Sequence, residues 1–86
     1  MSIPPPAPKR APTELQGQYL AFIYAYTKIH RRPPAEADMQ RFFEVTAPSV
    51  HRMVKQLESN GFIRRKPRQA RSIELLLDPE DLPVLQ

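Results

Sequence analysis

TAPSVHRMVKQLESNGFIRRKPRQARSIELLL, residues 46–77, changes its hydrophobic period once, at Gly61. Before the glycine, Val50, Val54 and Leu57 recur on one face of a helix, with Met53 beside them. Thr46 suits the N-cap, and Pro48 falls in the first turn, where its missing N–H has no intrahelical partner to lose. Gly61 ends the helix. Beyond it Phe62 and Ile63 open a strand, and Ile73, Leu75 and Leu77 alternate on a second. Arg-Arg-Lys-Pro-Arg-Gln-Ala-Arg, residues 64–71, lies between the two and reads as the exposed end of a hairpin.

Upstream, two further helices are predicted. Thr13 is placed to cap the first, whose apolar positions Leu15, Tyr19, Phe22, Ile23, Tyr26 and Ile29 form one buried stripe. Pro33-Pro34 forbids its continuation. The second helix is expected from about Ala35 to Phe43, burying Met39 with Phe42 or Phe43, and its early acids Glu36 and Asp38 sit at the positive end of the helix dipole. Helix, helix, helix, hairpin is the order of an α+β winged helix-turn-helix, three helices followed by a two-stranded β-hairpin wing. The expected division is a flexible Pro-rich arm over 1–12, the winged domain over 13–77, and an acidic irregular tail over 78–86, anchored at most by Leu82, Val84 or Leu85.

At 86 residues, one small domain is expected, with no room for a catalytic domain or a tandem repeat. Cysteine is absent, which excludes disulfides, thiolate chemistry and Cys-based metal sites. His30 and His51 are far apart and the acids follow no metal-ligand spacing, so neither a metal nor a cofactor is expected. No Gly-rich phosphate loop and no paired nucleophile and base are present, so the expectation is not an enzyme, with no small-molecule substrate implied. No apolar stretch is long enough to cross a membrane, and MSIPPPAPKR has prolines where a signal peptide needs an apolar segment, giving the expectation of a soluble, cytoplasmic bacterial protein without a membrane partner.

Charge supplies the functional pointer. The net charge is +4, but all 13 Lys and Arg lie within residues 1–73 alongside five of the nine acids, leaving an excess of eight positive charges before the acidic end. Such a distribution favours an anionic polymer as partner. On the third helix the side opposite the apolar stripe collects Arg52, Lys55 and Gln56, with Ser49 and His51 at its margins. Arg can donate to guanine, Gln can pair with adenine, and a helix of this width fits the major groove. A polar face opposite a core stripe is also what any solvated helix presents. The hairpin strengthens the nucleic-acid reading, because Arg64, Arg65, Lys66, Arg68 and Arg71 gather five cations, with Gln69 among them, and no acid intervenes until Glu74. A wing of this kind can lie on a phosphate backbone or enter a minor groove. Arg31 and Arg32, before the proline pair, are further candidates for phosphate, and Lys9-Arg10 for a groove-following arm.

The residues also carry a resemblance. PTELQGQYLAFIYAYTKIHRRPP (12–34), ADMQRFFEV (37–45), TAPSVHRMVKQLESNGFIRR (46–65) and KPRQARSIELL (66–76) are together similar to the N-terminal DNA-binding domain of the LexA repressor family. The resemblance implies operator binding, usually as a dimer on a palindrome, with a separate C-terminal domain supplying dimerisation and Ser-Lys self-cleavage. It places recognition on Thr46, Ala47, Ser49, His51 and Arg52, and the wing role on Lys66 through Arg71. Two departures stand out: Glu44 occupies the usual turn glycine, and the segment between Pro34 and Val50 is one residue short of the common pattern. With these departures the third helix is expected to enter at another angle and the family's target sequence is not assumed; the cleavage domain is missing from these 86 residues, so self-cleavage is not expected.

The leading expectation is a DNA-binding transcriptional regulator, repressor-like, whose third helix enters the major groove of double-stranded DNA. Its partner copy is expected to join in a weak or DNA-assisted homodimer, with Tyr24 exposed enough to contribute. The alternative is a small winged-helix protein–protein interaction module, favoured if Phe42 or Phe43 is exposed and the wing is neutralised by acids.

Overall fold

Thr13 begins the first helix through a reciprocal cap: its Oγ1 accepts the Gln16 N–H at 3.1 Å while Gln16 Oε1 accepts the Thr13 N–H at 3.0 Å. The computed structural model describes residues 11–86, so most of the expected arm over 1–12, Lys9-Arg10 included, lies outside the described residues. Helix α1 spans Glu14–His30, α2 Glu36–Phe43 and α3 Ala47–Ser59; strands β1 (Ile63–Arg64) and β2 (Glu74–Leu75) follow, then a 3-10 turn at Pro79–Asp81. The strands pair antiparallel with Ile63 opposite Leu75 and Arg64 opposite Glu74. This is a winged helix-turn-helix, three helices followed by a two-stranded hairpin.

Each boundary has a local cause. Arg31 leaves α1 in the left-handed region (φ 62°), its N–H closing on Thr27 O, and Pro33-Pro34 then forbid further helix. Glu44 ends α2 in the same region (φ 54°, ψ 50°), doing with a side chain what a turn glycine does without one. Thr46 caps α3 and Pro48 sits in its first turn. Gly61 takes φ 78° and turns the chain so that the Phe62 N–H bonds Leu57 O and Phe62 enters the core.

Tyr19, Leu20, Phe22 and Ile23 of α1, Met39 of α2, Val50, Val54 and Leu57 of α3, and Phe62, Ile63 and Ile73 of the hairpin form one apolar cluster. Leu75 and Leu77 pack against it while Glu74 and Leu76 face outward, so the period-2 alternation is kept even though the regular ladder is only two residues long. Tyr19 stacks on Phe43 with ring centroids 4.0 Å apart, and Phe22 meets Phe42 at 4.5 Å. Phe43 is thus the inward ring beside Met39, and Phe42 keeps 45% of its surface exposed.

The expected stripe on α1 needs correction at both ends. Leu15 is 56% exposed and Ile29 73%, because the first and last turns project past the elements that cover the middle. Burial in the middle is instead continuous from Tyr19 to Ile23. The aromatic pair of α2 takes one side and the core another; the returning tail takes a third, where Pro83 lies against Gly17 and Gln18 bonds Val84 O and the Gln86 N–H. Leu82 and Leu85 of that tail pack on the core, and Val84 points away at 83% exposure.

Candidate functional site

The start of α3 is a small hydroxyl cluster. Thr46 Oγ1 lies 3.0 Å from Ser49 Oγ and accepts the Ser49 N–H at 3.4 Å, so both hydroxyls serve the cap while Ala47 and Pro48 remain exposed beside them. His51, Arg52, Lys55 and Gln56 then line the exposed side of α3, opposite Val50, Val54 and Leu57. Among the described residues no acid stands within ion-pair distance of Arg52 or Lys55.

The wing divides into paired and unpaired cations. Arg64 donates to both carboxylate oxygens of Glu74, its partner across the strands. Arg65 is shared between Glu58 at 3.3 Å and Glu36 at 3.5 Å. Arg71 is half-buried and turned inward, Nη1 reaching Asp38 Oδ2 and the Tyr26 hydroxyl, each at 3.0 Å, and the Pro33 carbonyl at 3.4 Å. Lys66 and Arg68 are exposed with no acidic partner among the described residues. Ser72 closes the loop: its Oγ accepts the Lys66 N–H at 3.0 Å and lies 2.8 Å from Gln69 O, while the Gln69 N–H bonds Lys66 O. The Gln69 side chain is left exposed.

Helix α2 joins the two parts. Glu36 meets His51 Nδ1 at 3.4 Å on one side and Arg65 on the other, so the margin of α3 and the base of the wing converge on one carboxylate. A notch of about 280 Å³ opens there, bordered by Ala35, Glu36, Arg65, Lys66, Arg68 and Gln69. A larger groove of about 660 Å³ runs on the other side of the wing, between α1 at Ile23, Tyr24, Thr27 and Lys28 and the hairpin at Ile73 and Leu75. Arg31 and Arg32 are exposed on the connector before α2, and no side-chain hydrogen bond or ion pair among the described residues links them to α3 or the wing.

Sequence reasoning read Asp38 and Glu36 only as dipole partners and missed their organising role. Asp38 is 7% exposed; its Oδ2 accepts the Ala35 N–H at 2.8 Å, which closes the start of α2, and its Oδ1 accepts from Arg41 at 2.7 Å. Burial alone pushes this carboxyl up, but the Ala35 N–H, Arg71, Tyr26 and Arg41 together hold it below the usual carboxylate range. The Arg71 guanidinium is raised in turn, chiefly by the bond to Tyr26. The signal available in the sequence was an acid three residues after the N-cap position, the spacing of a capping box.

Among the described residues no group of three His, Cys, Asp or Glu stands close enough to hold a metal ion, and no helix is long and apolar enough to cross a membrane. The family model that matches the chain is that of the MarR family, over residues 25–70, from the second half of α1 through α2, α3 and β1 into the wing. The chain is also similar to the LexA repressor of Zymomonas mobilis subsp. mobilis (strain ATCC 31821 / ZM4 / CP4), 35% identical over 75 residues, which are 86% of this chain and 35% of that protein. A second relative is the LexA repressor of Bartonella quintana (strain Toulouse), 38% identical over 68 residues, 78% of this chain and 29% of that protein. The chain spans about a third of the length of these curated relatives. The expected LexA membership is corrected accordingly: the likeness to those repressors is partial, and the family whose model matches is MarR.

Proposed function

The chain belongs to the MarR family, as a winged helix-turn-helix domain of the DNA-binding transcriptional-regulator class, and from that premise we propose that it controls transcription by occupying double-stranded DNA. Helix α3 enters the major groove, where Arg52 and Gln56 face base edges and Lys55 faces phosphate, with Thr46, Ala47, Ser49 and His51 at its leading end and margin. Lys66 and Arg68 of the wing, with Gln69, lie along the backbone or in the adjacent minor groove. Arg64 and Arg65 join them to the extent that phosphate displaces Glu74, Glu58 and Glu36; Arg31 and Arg32 supply outlying phosphate contacts. The observation that carries this reading is the convergence of the exposed face of α3 and the wing at Glu36.

Titration of the protein against mixed-sequence duplex at two salt concentrations tests it. Neutralising about four to six phosphates makes affinity fall steeply with salt, and absence of binding at low salt would sink the proposal. Arg52→Ala should then cost about 1–3 kcal/mol on the preferred site alone if Arg52 reads a base, and weaken all sequences alike if it touches phosphate.

One further element of the reading is a weak or DNA-assisted homodimer. A single winged module makes a small interface, and its phosphate contacts are shared by all sequences, so a second copy is needed for specificity. Leu15 and Ile29 of α1 and Val84 of the tail are exposed apolar side chains available to it, and half-buried Tyr24 adds to them. Sedimentation equilibrium with and without a two-half-site duplex checks this: a strict 1:1 complex at saturation contradicts it.

A specific observation also favours the protein-interaction reading. Phe42 is exposed, and acids neutralise Arg64, Arg65 and Arg71, three of the five wing cations. The family match and the cations left unpaired on α3 and the wing weigh on the DNA side. A stoichiometric protein partner together with undetectable duplex binding would reverse that order.

A further inference from the structure

A wing loop running from residue 65 to 73, between strands of two residues each, is held too briefly by its ladder to have a fixed pose. Ser72 closes the loop upon itself but ties it to nothing else. Arg65, at the start of the loop, meets Glu58 and Glu36, and the connection to the body at its far end is Arg71. Its backbone takes the left-handed region (φ 56°), which is strained for a side chain of this size, and its guanidinium reaches α1 at Tyr26, the connector at Pro33 and α2 at Asp38. Asp38 is already committed to the first turn of α2 through the Ala35 N–H and is nearly closed to solvent.

We propose that Arg71 and Asp38 form a latch that fixes the wing relative to α2 and α3, making Arg71 a positioning residue that does not itself touch DNA. The claim rests on the DNA-binding reading and gives this one wing arginine a different task from its neighbours. Arg64 is held at the surface by exposed Glu74, and Arg65, itself only 24% exposed, is held by Glu58 and Glu36, which at 40% and 37% exposure are far more open to replacement by phosphate than Asp38 at 7%. Arg71 is held by a carboxylate that has three other donors around it, and its release would leave that carboxylate buried without its closest cation from the wing. Lys66 and Arg68, flanking the loop's turn, are placed by the latch.

The test compares duplex affinity and its salt dependence for the wild-type chain, Asp38→Asn and Arg71→Met. Asparagine keeps an oxygen for the Ala35 N–H and removes the charge that holds Arg71. The latch predicts that Asp38→Asn weakens binding to every duplex by about tenfold, against the general trend that removing a negative charge helps a protein approach DNA. If Arg71 instead leaves Asp38 for a phosphate in the complex, the carboxylate competes with DNA and Asp38→Asn tightens binding; that sign overturns the proposal. Arg71→Met reads the same question through the salt slope. Loss of a single direct contact lowers the slope by about one, whereas a freed wing also forfeits Lys66 and Arg68 and lowers it by about two or more. Should Asp38→Asn fail to fold, as far-ultraviolet circular dichroism would show, Arg71→Met decides alone. Amide exchange across residues 66–72 of the DNA-free protein should quicken in Arg71→Met; unchanged protection there also counts against the latch. Failure of the wild-type chain to bind duplex at low salt removes the DNA reading itself and is distinct from any of these outcomes.

Discussion

Arg64 and Glu74 sit opposite each other in the strand register, Nε and Nη2 of the guanidinium donating to the two carboxylate oxygens at 2.8 and 3.0 Å. The bidentate contact lowers the Glu74 carboxyl below its usual range and raises the arginine, yet both side chains are well exposed, where an ion pair adds little to stability. Its larger effect is on availability, because Glu74 occupies the Nε–Nη2 edge and neutralises the charge, leaving Arg64 only its Nη1–Nη2 edge and no net charge to offer a phosphate. Glu74→Gln is therefore expected to leave the thermal midpoint nearly unchanged, to tighten binding to all duplexes alike, and to steepen the salt dependence by about one phosphate. Titrations at several salt concentrations measure this. An unaltered slope would place Arg64 away from DNA.

Glu44 ends α2 at φ 54° and ψ 50°, a conformation in which the β-carbon crowds the backbone by roughly 1–2 kcal/mol. Glycine escapes the crowding and gives back part of the gain in unfolded-chain entropy. Glu44→Gly should accordingly raise stability by about 0.5–1 kcal/mol, read as a higher urea midpoint at unchanged slope. A lower midpoint would mean that the glutamate side chain contributes something the backbone geometry does not reveal.

The three helices and the hairpin were legible because each boundary is written in local chemistry: Thr13 and Thr46 as caps, Pro33-Pro34 as a stop, Gly61 as the turn into β1. The inward alternation of Ile73, Leu75 and Leu77 was legible for the same reason. What local pattern could not reveal depends on segments distant in sequence. Tyr19 to Ile23 are buried on successive sides because the α2 aromatic pair, the core and the tail, more than sixty residues on, each cover part of α1. The cations of residues 64–71 read as one basic run, but tertiary folding sorts them, handing Arg71 to a carboxylate 33 positions upstream and leaving Lys66 and Arg68 outward. The membership expected from the quoted motifs failed because winged domains share caps, core spacing and a basic wing across families, and those features carried most of the likeness.

Stability should depend on pH through Asp38. The carboxyl is held lower in the folded chain than its ordinary value of 3.8, so the unfolded chain binds this proton more readily. The contribution is fully present above about pH 4, and it is lost progressively as pH falls below the ordinary value toward the depressed folded one. Urea midpoints measured from pH 6 down to pH 2 should decline over that lower range, and Asp38→Asn should flatten the decline. A variant that keeps the wild-type pH profile would assign the acid sensitivity to other carboxylates.

Gly17 lies in α1 where a β-carbon would stand 3.0 Å from Pro83 Cγ and 3.4 Å from Cδ. In an open helix Gly→Ala stabilises by about 1 kcal/mol through backbone entropy. Here the added methyl meets a proline ring whose segment is held by Gln18, through Nε2 to Val84 O at 2.9 Å and through Oε1 from the Gln86 N–H at 2.8 Å. Gly17→Ala should therefore gain nothing or lose a few tenths of a kcal/mol, because the tail has to shift to admit it. Pro83→Ala removes the two atoms in the way, and in that background Gly17→Ala should recover the ordinary gain. The difference between the two backgrounds, measured by urea unfolding, is the coupling between tail and helix. Equal gains in both would show that the tail does not seat on α1 in solution; the side of the helix at Gly17 and Gln18 would then be open to a second copy of the chain, an outcome that sedimentation of the same variants would reveal as tighter self-association.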